Sequence, residues 1–337
     1  MDKKASKAIK LTLSFAAAAV LVYFAFRGVH WGDFWDGVRQ TRWGYVVLFF
    51  VASLGALYFR MLRWRAILRP LNPSVRRLAV WDADNVGNLA NVVLPGSGEI
   101  VRCGYVTGPA SGFDKIFGTV VLERLWDILA IVLLFVLALG FGADRFWDFF
   151  SGSIWAPLRS KLDFSLWPIV AGGVVIACAL VWTAFRFRER SRICAKLSGA
   201  LGGVWDGFVS FTRMERKPLF AVYTVLIWLM YILMCWSIQK SMPALDSLDF
   251  MDAVFISAVG NIASIVPVPG GVGAYHYLVS LTVSSIYGLS WDTGILFATL
   301  NHELHAVLVI VLGVISWISL AILPRGTRRE GLPPLCR

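Results

Sequence analysis

The sequence predicts an all-α polytopic membrane protein: about six full transmembrane helices plus two re-entrant helical hairpins of opposite orientation, together forming an inverted repeat. Three observations point there. The 337 residues are 58% hydrophobic and only 16% charged, against about 25% charged in an ordinary soluble domain. Several apolar runs reach the roughly 20 residues needed to cross a bilayer. Finally, NVVLPGSGEIVR at 91–102 and SIVPVPGGVG at 264–273 place Pro-Gly between apolar runs. A helix broken in lipid persists only where protein or a water-lined cavity replaces its lost hydrogen bonds.

Taken in order, full spans are predicted near residues 9–27, 44–62, 116–141, 166–185, 218–238 and 292–322. The opening MDKKASKAIK and the apolar run after it have two parts of a signal peptide but no small-residue cleavage site. They read as a retained first span. Lys and Arg beside the spans set the orientation. Lys3, Lys4, Lys7 and Lys10 put the N-terminus in the cytoplasm, and residues 60–77, with six Arg and no acid, join it there. Residues 186–196 and 324–330 agree, so both termini are cytoplasmic. Residues 28–43 and 142–165 mix Asp with Trp and Phe and read as outer interfacial loops. On this scheme the net charge of +11 is topological and suits anionic headgroups. No stacking platform or binding motif accompanies it, so nucleic acid is not a partner. The five cysteines show no CxxC pair and read as free thiols.

Residues 78–112 and 250–290 are too broken for a single span and begin and end on one side. They read as hairpins, the first entering from the cytoplasm and the second from outside. GNLANVVLPGSGE at 87–99 also aligns with GNIASIVPVPGGVG at 260–273: Gly87 with Gly260, Asn88 with Asn261, Pro95-Gly96 with Pro269-Gly270. The whole chain, 1–337, is then one transmembrane domain with repeats near 44–141 and 218–322. Transporters built this way carry their site at the repeat interface.

Charges inside the spans mark the chemistry. Glu123, Arg124 and Asp127 interrupt an apolar helix, where each costs roughly 2.5–3.5 kcal/mol unless paired. Glu123 and Asp127 are four apart and share a face, and Glu99 in the first hairpin is a partner within reach of Arg124. Two readings stand, a buried ion network that pins helices and a substrate path. The first hairpin adds Asp82, Asp84, Asn85, Asn88, Asn91, Glu99 and Arg102 around its break. Exposed helix N–H groups together with Arg102 and Arg124 suit a lipid phosphate. Asp82 and Asp84 read equally well as solvated at the membrane surface.

The second hairpin carries Asn261, then Tyr275 and His276 after its break, and the last span carries NHELH at 301–305. His302 and His305 flank Glu303 at the wrong spacing for the HExxH zinc motif, and no third ligand is apparent. The expectation is therefore no metal and no cofactor, with His302 and Glu303 a polar counterpart to the first-half charges. No GxSxG, Walker A or Rossmann pattern is present, so no chemical catalysis is expected.

LPGSGEIVR at 94–102, LERLWD at 122–127 and VPGGVGAYH at 268–276 give the chain a family likeness. It resembles the lysylphosphatidylglycerol synthase transmembrane region family, the flippase-like part of the multiple peptide resistance factor, over roughly residues 8–323. The resemblance implies a bacterial cytoplasmic-membrane protein that moves an anionic or aminoacylated phospholipid, or a polyprenyl-linked lipid, between leaflets. By position it carries over Asn91, Pro95, Gly96, Gly98, Glu99, Arg102, Glu123, Arg124 and Asp127 in the first half. In the second it carries over Pro269, Gly270, Gly271 and Gly273. Two positions depart from the family pattern: His276 stands where an acid is common, and His302 where an Arg is common in the last span. The sequence ends at Arg337 without an aminoacyl-transferase domain, so the likeness is to the flippase half and lysyl-lipid synthesis is not expected. Three functions remain in view: a lipid translocator, a membrane enzyme or accessory subunit acting on lipid-linked sugars, and a non-transporting scaffold. The oligomeric state is left open.

Overall fold

The computed structural model describes residues 19–20, 22–107, 111–141, 191–263 and 268–322, with a few single positions between 147 and 189. The expected span at 166–185 and most of the one at 9–27 therefore lie outside the described residues, as do the basic segments at 3–10 and 324–330.

Among the described residues the regular structure is helical and contains no strand. Ten α-helices follow in order: α1 Trp31–Gln40, α2 Trp43–Leu68, α3 Arg77–Val93, α4 Ser97–Val106, α5 Phe113–Phe141, α6 Arg192–Val209, α7 Lys217–Ser241, α8 Phe250–Ala263, α9 Ala274–Tyr287 and α10 Trp291–Ile322. Three of them, α2, α7 and α10, are long and apolar enough to cross a membrane. At 1.5 Å per residue, even the 25-residue α7 extends about 38 Å, beyond the roughly 30 Å hydrocarbon core. α5 is 29 residues long and uninterruptedly apolar after Asp127. Its outward side chains Leu125, Ile128, Leu129, Val132, Leu133, Val136 and Leu137 are exposed. Val307, Ile310, Val311, Val314, Ile315 and Ile318 do the same on α10. An apolar surface this continuous belongs in lipid.

Both breaks fall at the Pro-Gly segments, for a backbone reason. Between α3 and α4, Gly96 takes a left-handed conformation (φ 76°) that a side chain would resist. Asn91 then closes the turn, its Oδ1 accepting from the Gly98 N–H at 2.7 Å. Between α8 and α9 a short 3-10 turn, Pro269–Gly271, contains Gly270 at φ 61°, and Gly273 follows at φ 84°. Residues 264–267 of that connection lie outside the described set.

α2 lies along α7. α3 packs on α10, and α8 packs on α5. α3 also touches the Pro269–Gly271 turn. Gly313 permits the α3–α10 approach, since a Cβ there would meet Leu89 and the Asn85 carbonyl.

Three segments differ from the sequence reading. Residues 28–43, expected as a loop, contain α1, whose Phe34 is buried while Trp31 and Trp35 stay exposed. Residues 192–209, expected to begin as a basic loop, form α6, which packs along α5. Its glycines explain the fit: a Cβ on Gly118 of α5 would strike the Val204 carbonyl of α6, and one on Gly207 the Lys115 carbonyl. The basic segment at 60–77 does not begin where the span ends. α2 continues to Leu68 and carries Arg63 into the interior, fully buried. Cys103, Cys194 and Cys235 are free thiols, as expected.

Candidate functional site

The charges of the first half converge on α5. Glu123, 1% exposed, accepts from Arg63 Nη2 at 3.1 Å and from Arg102 Nη2 at 2.7 Å, so one carboxylate ties α2, α4 and α5 together. Arg63 also reaches Asp127 at 2.7 Å, one helical turn along from Glu123. Arg102 donates to Asp84 of α3 at 2.9 Å, and its guanidinium lies 4.5 Å over the Trp64 ring. The Trp64 indole is fixed in turn by its Nε1 donating to Thr119 at 3.1 Å. Arg60, next along the α2 face, lies 3.4 Å from the Tyr231 hydroxyl of α7.

This burial gives the expected residues two different settings. Arg102 is committed to carboxylates on two sides and a ring on a third, so its role is to hold α3 and α4 onto α5. Asp84 is buried with it, and Asp82 is buried beside α10, accepting from Ser319 at 3.1 Å. Neither is solvated at a surface. Arg124 stands apart. Its side chain is 44% exposed, it donates to Glu99 at 2.7 Å, the partner expected from the sequence, and Asp127 lies 3.7 Å away. Glu99 and Asp127 are each 19% exposed. The site is thus a rim of one half-exposed guanidinium and two largely covered carboxylates, beside the Gly96 turn and braced from behind by the buried network.

Asn88 and Asn91 line the turn from α3, Asn91 bound into it and Asn88 with its Nδ2 buried and unpartnered by protein. Gly98 lies against Gly87: a Cβ on either would strike the other's carbonyl. In the second half, Asn261 donates back to the Ser257 carbonyl of its own helix at 2.8 Å. Gly271 lies where an added Cβ would sit 3.6 Å from His302.

His276, His302 and Glu303 come together. His302 approaches Glu303 at 3.0 Å and the Gly270 carbonyl at 2.8 Å; His276, 1% exposed, stands 3.6 Å from the same Glu303 oxygen. The Tyr275 hydroxyl accepts from Asn301 Nδ2 at 2.8 Å, and the Tyr275 ring lies tilted against that of His302 with centroids 5.1 Å apart. His305 turns away, its Nδ1 bonded to Ser53 of α2 at 2.6 Å.

Sequence reasoning missed Arg63 and Arg60 as members of the first cluster and left Asp84 open between that cluster and the membrane surface. The available signal was helical spacing: Arg60, Arg63 and Trp64 lie three and four apart, on one face of an extended α2.

The sequence model of a family described as "Lysylphosphatidylglycerol synthase TM region" matches residues 8–313. Among curated proteins the chain is similar to "Glycosyltransferase AglD" of Haloferax volcanii, at 24% identity over 310 residues. That alignment covers 81% of this chain and 49% of the relative, so the chain spans about half the length of the relative it matches. No solved structure matches.

Proposed function

The chain belongs to the Lysylphosphatidylglycerol synthase TM region family, and from that premise we propose that this membrane protein is a lipid translocator acting at the half-open Arg124 rim. The observation that carries the reading is the contrast among its cations. Arg63 and Arg102 are buried against carboxylates, whereas Arg124 keeps 44% of its side chain open beside Glu99 and Asp127. Burying four charged groups, Arg63, Arg102, Asp84 and Glu123, behind such a rim is expensive, and charges held within an apolar helix characteristically line a substrate path.

In this reading the α3–α4 and α8–α9 units are re-entrant hairpins that enter from opposite faces, and the halves near 44–141 and 218–322 are inverted repeats within about six full spans. The corresponding neighbours, α3 on α10 and α8 on α5, support that symmetry. Arg124 engages a headgroup phosphate, and Glu99 and Asp127 balance its charge or take a headgroup amine. Arg102 and Glu123 position the rim rather than touch lipid. Asn88, the Pro95–Gly98 turn and the Pro269–Gly273 turn line the path, with His276, His302 and Glu303 at its second-half end. Movement follows from one half rocking against the other along the α2–α7 contact. The membrane is the cell membrane, with both termini cytoplasmic.

The similarity to a protein named a glycosyltransferase favours a second reading, in which the chain serves glycosyl transfer to a lipid-linked acceptor as an accessory module. Proteoliposomes separate the two. Leaflet exchange of labelled anionic, amino- and polyprenyl-phosphate lipids above the rate of protein-free vesicles supports translocation. Chemical turnover of a lipid-linked sugar without exchange supports the accessory module.

A further inference from the structure

We propose that His276, His302 and Glu303 form a zinc-binding site that clips the second hairpin to the last span. The ligand atoms of these three side chains all lie within 4.8 Å of one another. Tetrahedral zinc with ligands at about 2.0–2.1 Å sets neighbouring donors about 3.3 Å apart. The separations from Glu303 Oε1, 3.0 Å to His302 Nδ1 and 3.6 Å to His276 Nε2, bracket that value.

Hydrogen-bond accounting points the same way. His302 lies between two acceptors, the Gly270 carbonyl at Nε2 and the Glu303 carboxylate at Nδ1. A neutral imidazole has one N–H and satisfies only one of them. With a metal at Nδ1 the remaining Nε2–H donates to Gly270, the arrangement in which ligating histidines are usually held. His276 is 1% exposed and its Nε2 faces Glu303 at 3.6 Å, beyond hydrogen-bond range, which leaves that nitrogen to an ion, while Nδ1 on the other edge of the ring has no protein partner and is left to water. A buried polar ring without a partner calls for a bound ion or water. Two imidazoles and a carboxylate suit zinc and leave a fourth position for water or an anionic oxygen. Glu303 is 44% exposed, which gives the ion a way in. The third ligand comes from α9, outside the NHELH run.

The test uses the full-length protein in detergent, stripped with chelator and titrated with Zn2+ and with Co2+ as a spectroscopic stand-in. One Zn2+ per chain, a tetrahedral Co2+ visible spectrum and a melting temperature that rises with Zn2+ are the expected results. His302→Ala and Glu303→Gln, both at the site's accessible edge, should each weaken binding by more than the ~10–100-fold that loss of an outer hydrogen-bond partner costs. They carry the test because His276→Ala, fully buried, is the variant most prone to misfold. His30→Ala separates this site from the exposed His30, Asp33 and Asp292 group and should bind like wild type. Folded wild type that takes up neither ion overturns the proposal, since a proton shared between His302 and Glu303 then accounts for the contact. So does binding that survives both edge variants but is lost in His30→Ala.

Discussion

Arg63 and Arg124 lie on neighbouring helices and share Asp127, yet burial assigns them opposite duties. Arg63 has no exposed side-chain surface and serves two carboxylates. Its loss leaves Glu123 and Asp127 short of a cation in a low-dielectric interior, and breaking such a pair costs about 3–5 kcal/mol. Arg63→Ala is therefore expected to lower the thermal melting point sharply in detergent, read by intrinsic fluorescence. Arg63→Met, which keeps an unbranched stem without the charge, should not rescue it, because the acids remain unpaired. Arg124→Ala removes a half-exposed pair worth about 0–1 kcal/mol, so the fold should tolerate it. Much of this was legible early: the in-helix charges and the Glu99–Arg124 pairing follow from apolar context and spacing. Arg63 was not, because an arginine-rich run beside a span is the ordinary signature of a cytoplasmic loop. Only the continued helix turns that residue inward.

Elements were more legible than side-chain partnerships. Pro-Gly in an apolar run fixes where a helix must stop, and among the described residues helices break at both such segments, 94–96 and 268–273. α1 and α6 escaped notice because one is short and Trp-rich and the other is full of glycine, which ordinarily weakens a helix by ~1 kcal/mol per residue. In α6 two of the four glycines, Gly203 and Gly207, serve close packing on α5 instead. The same logic governs the first hairpin. Gly98→Ala forces α3 and α4 apart at Gly87 and Asn91, an overpacking cost of about 1–3 kcal/mol. Gly104→Ala meets nothing within 4 Å and should be neutral or slightly stabilising. Comparing the two melting curves tests the contact. At the other end of α2, Arg42 clamps Asp246 at 2.7 and 2.6 Å. The hydrogen bond from Arg42 holds the Asp246 carboxyl below its ordinary value. The folded value lies below the unfolded one, so the clamp's contribution is whole above about pH 3.9 and lost as pH falls through the lower folded value. Wild type and Asp246→Asn should differ by a constant melting offset from pH 5 to 8 and converge only in strong acid.

At the scale of the molecule, α2 lies along α7, α3 packs on α10 and α8 packs on α5. Which helices touch could not be read from the sequence, since hydropathy fixes order along the chain and not neighbours across it. The convergence of His276 with His302 and Glu303 was hidden for the same reason. The central claim is that the rim around Arg124 handles lipid, and the most direct measurement is leaflet exchange in proteoliposomes of wild type against Arg124→Ala at equal amounts of folded protein. The account predicts exchange by wild type and its loss, by tenfold or more (about 1.4 kcal/mol or greater on the barrier), in a variant whose melting temperature is almost unchanged. Exchange that is equal in both proteins, or absent from folded wild type for every lipid class tried, would contradict it.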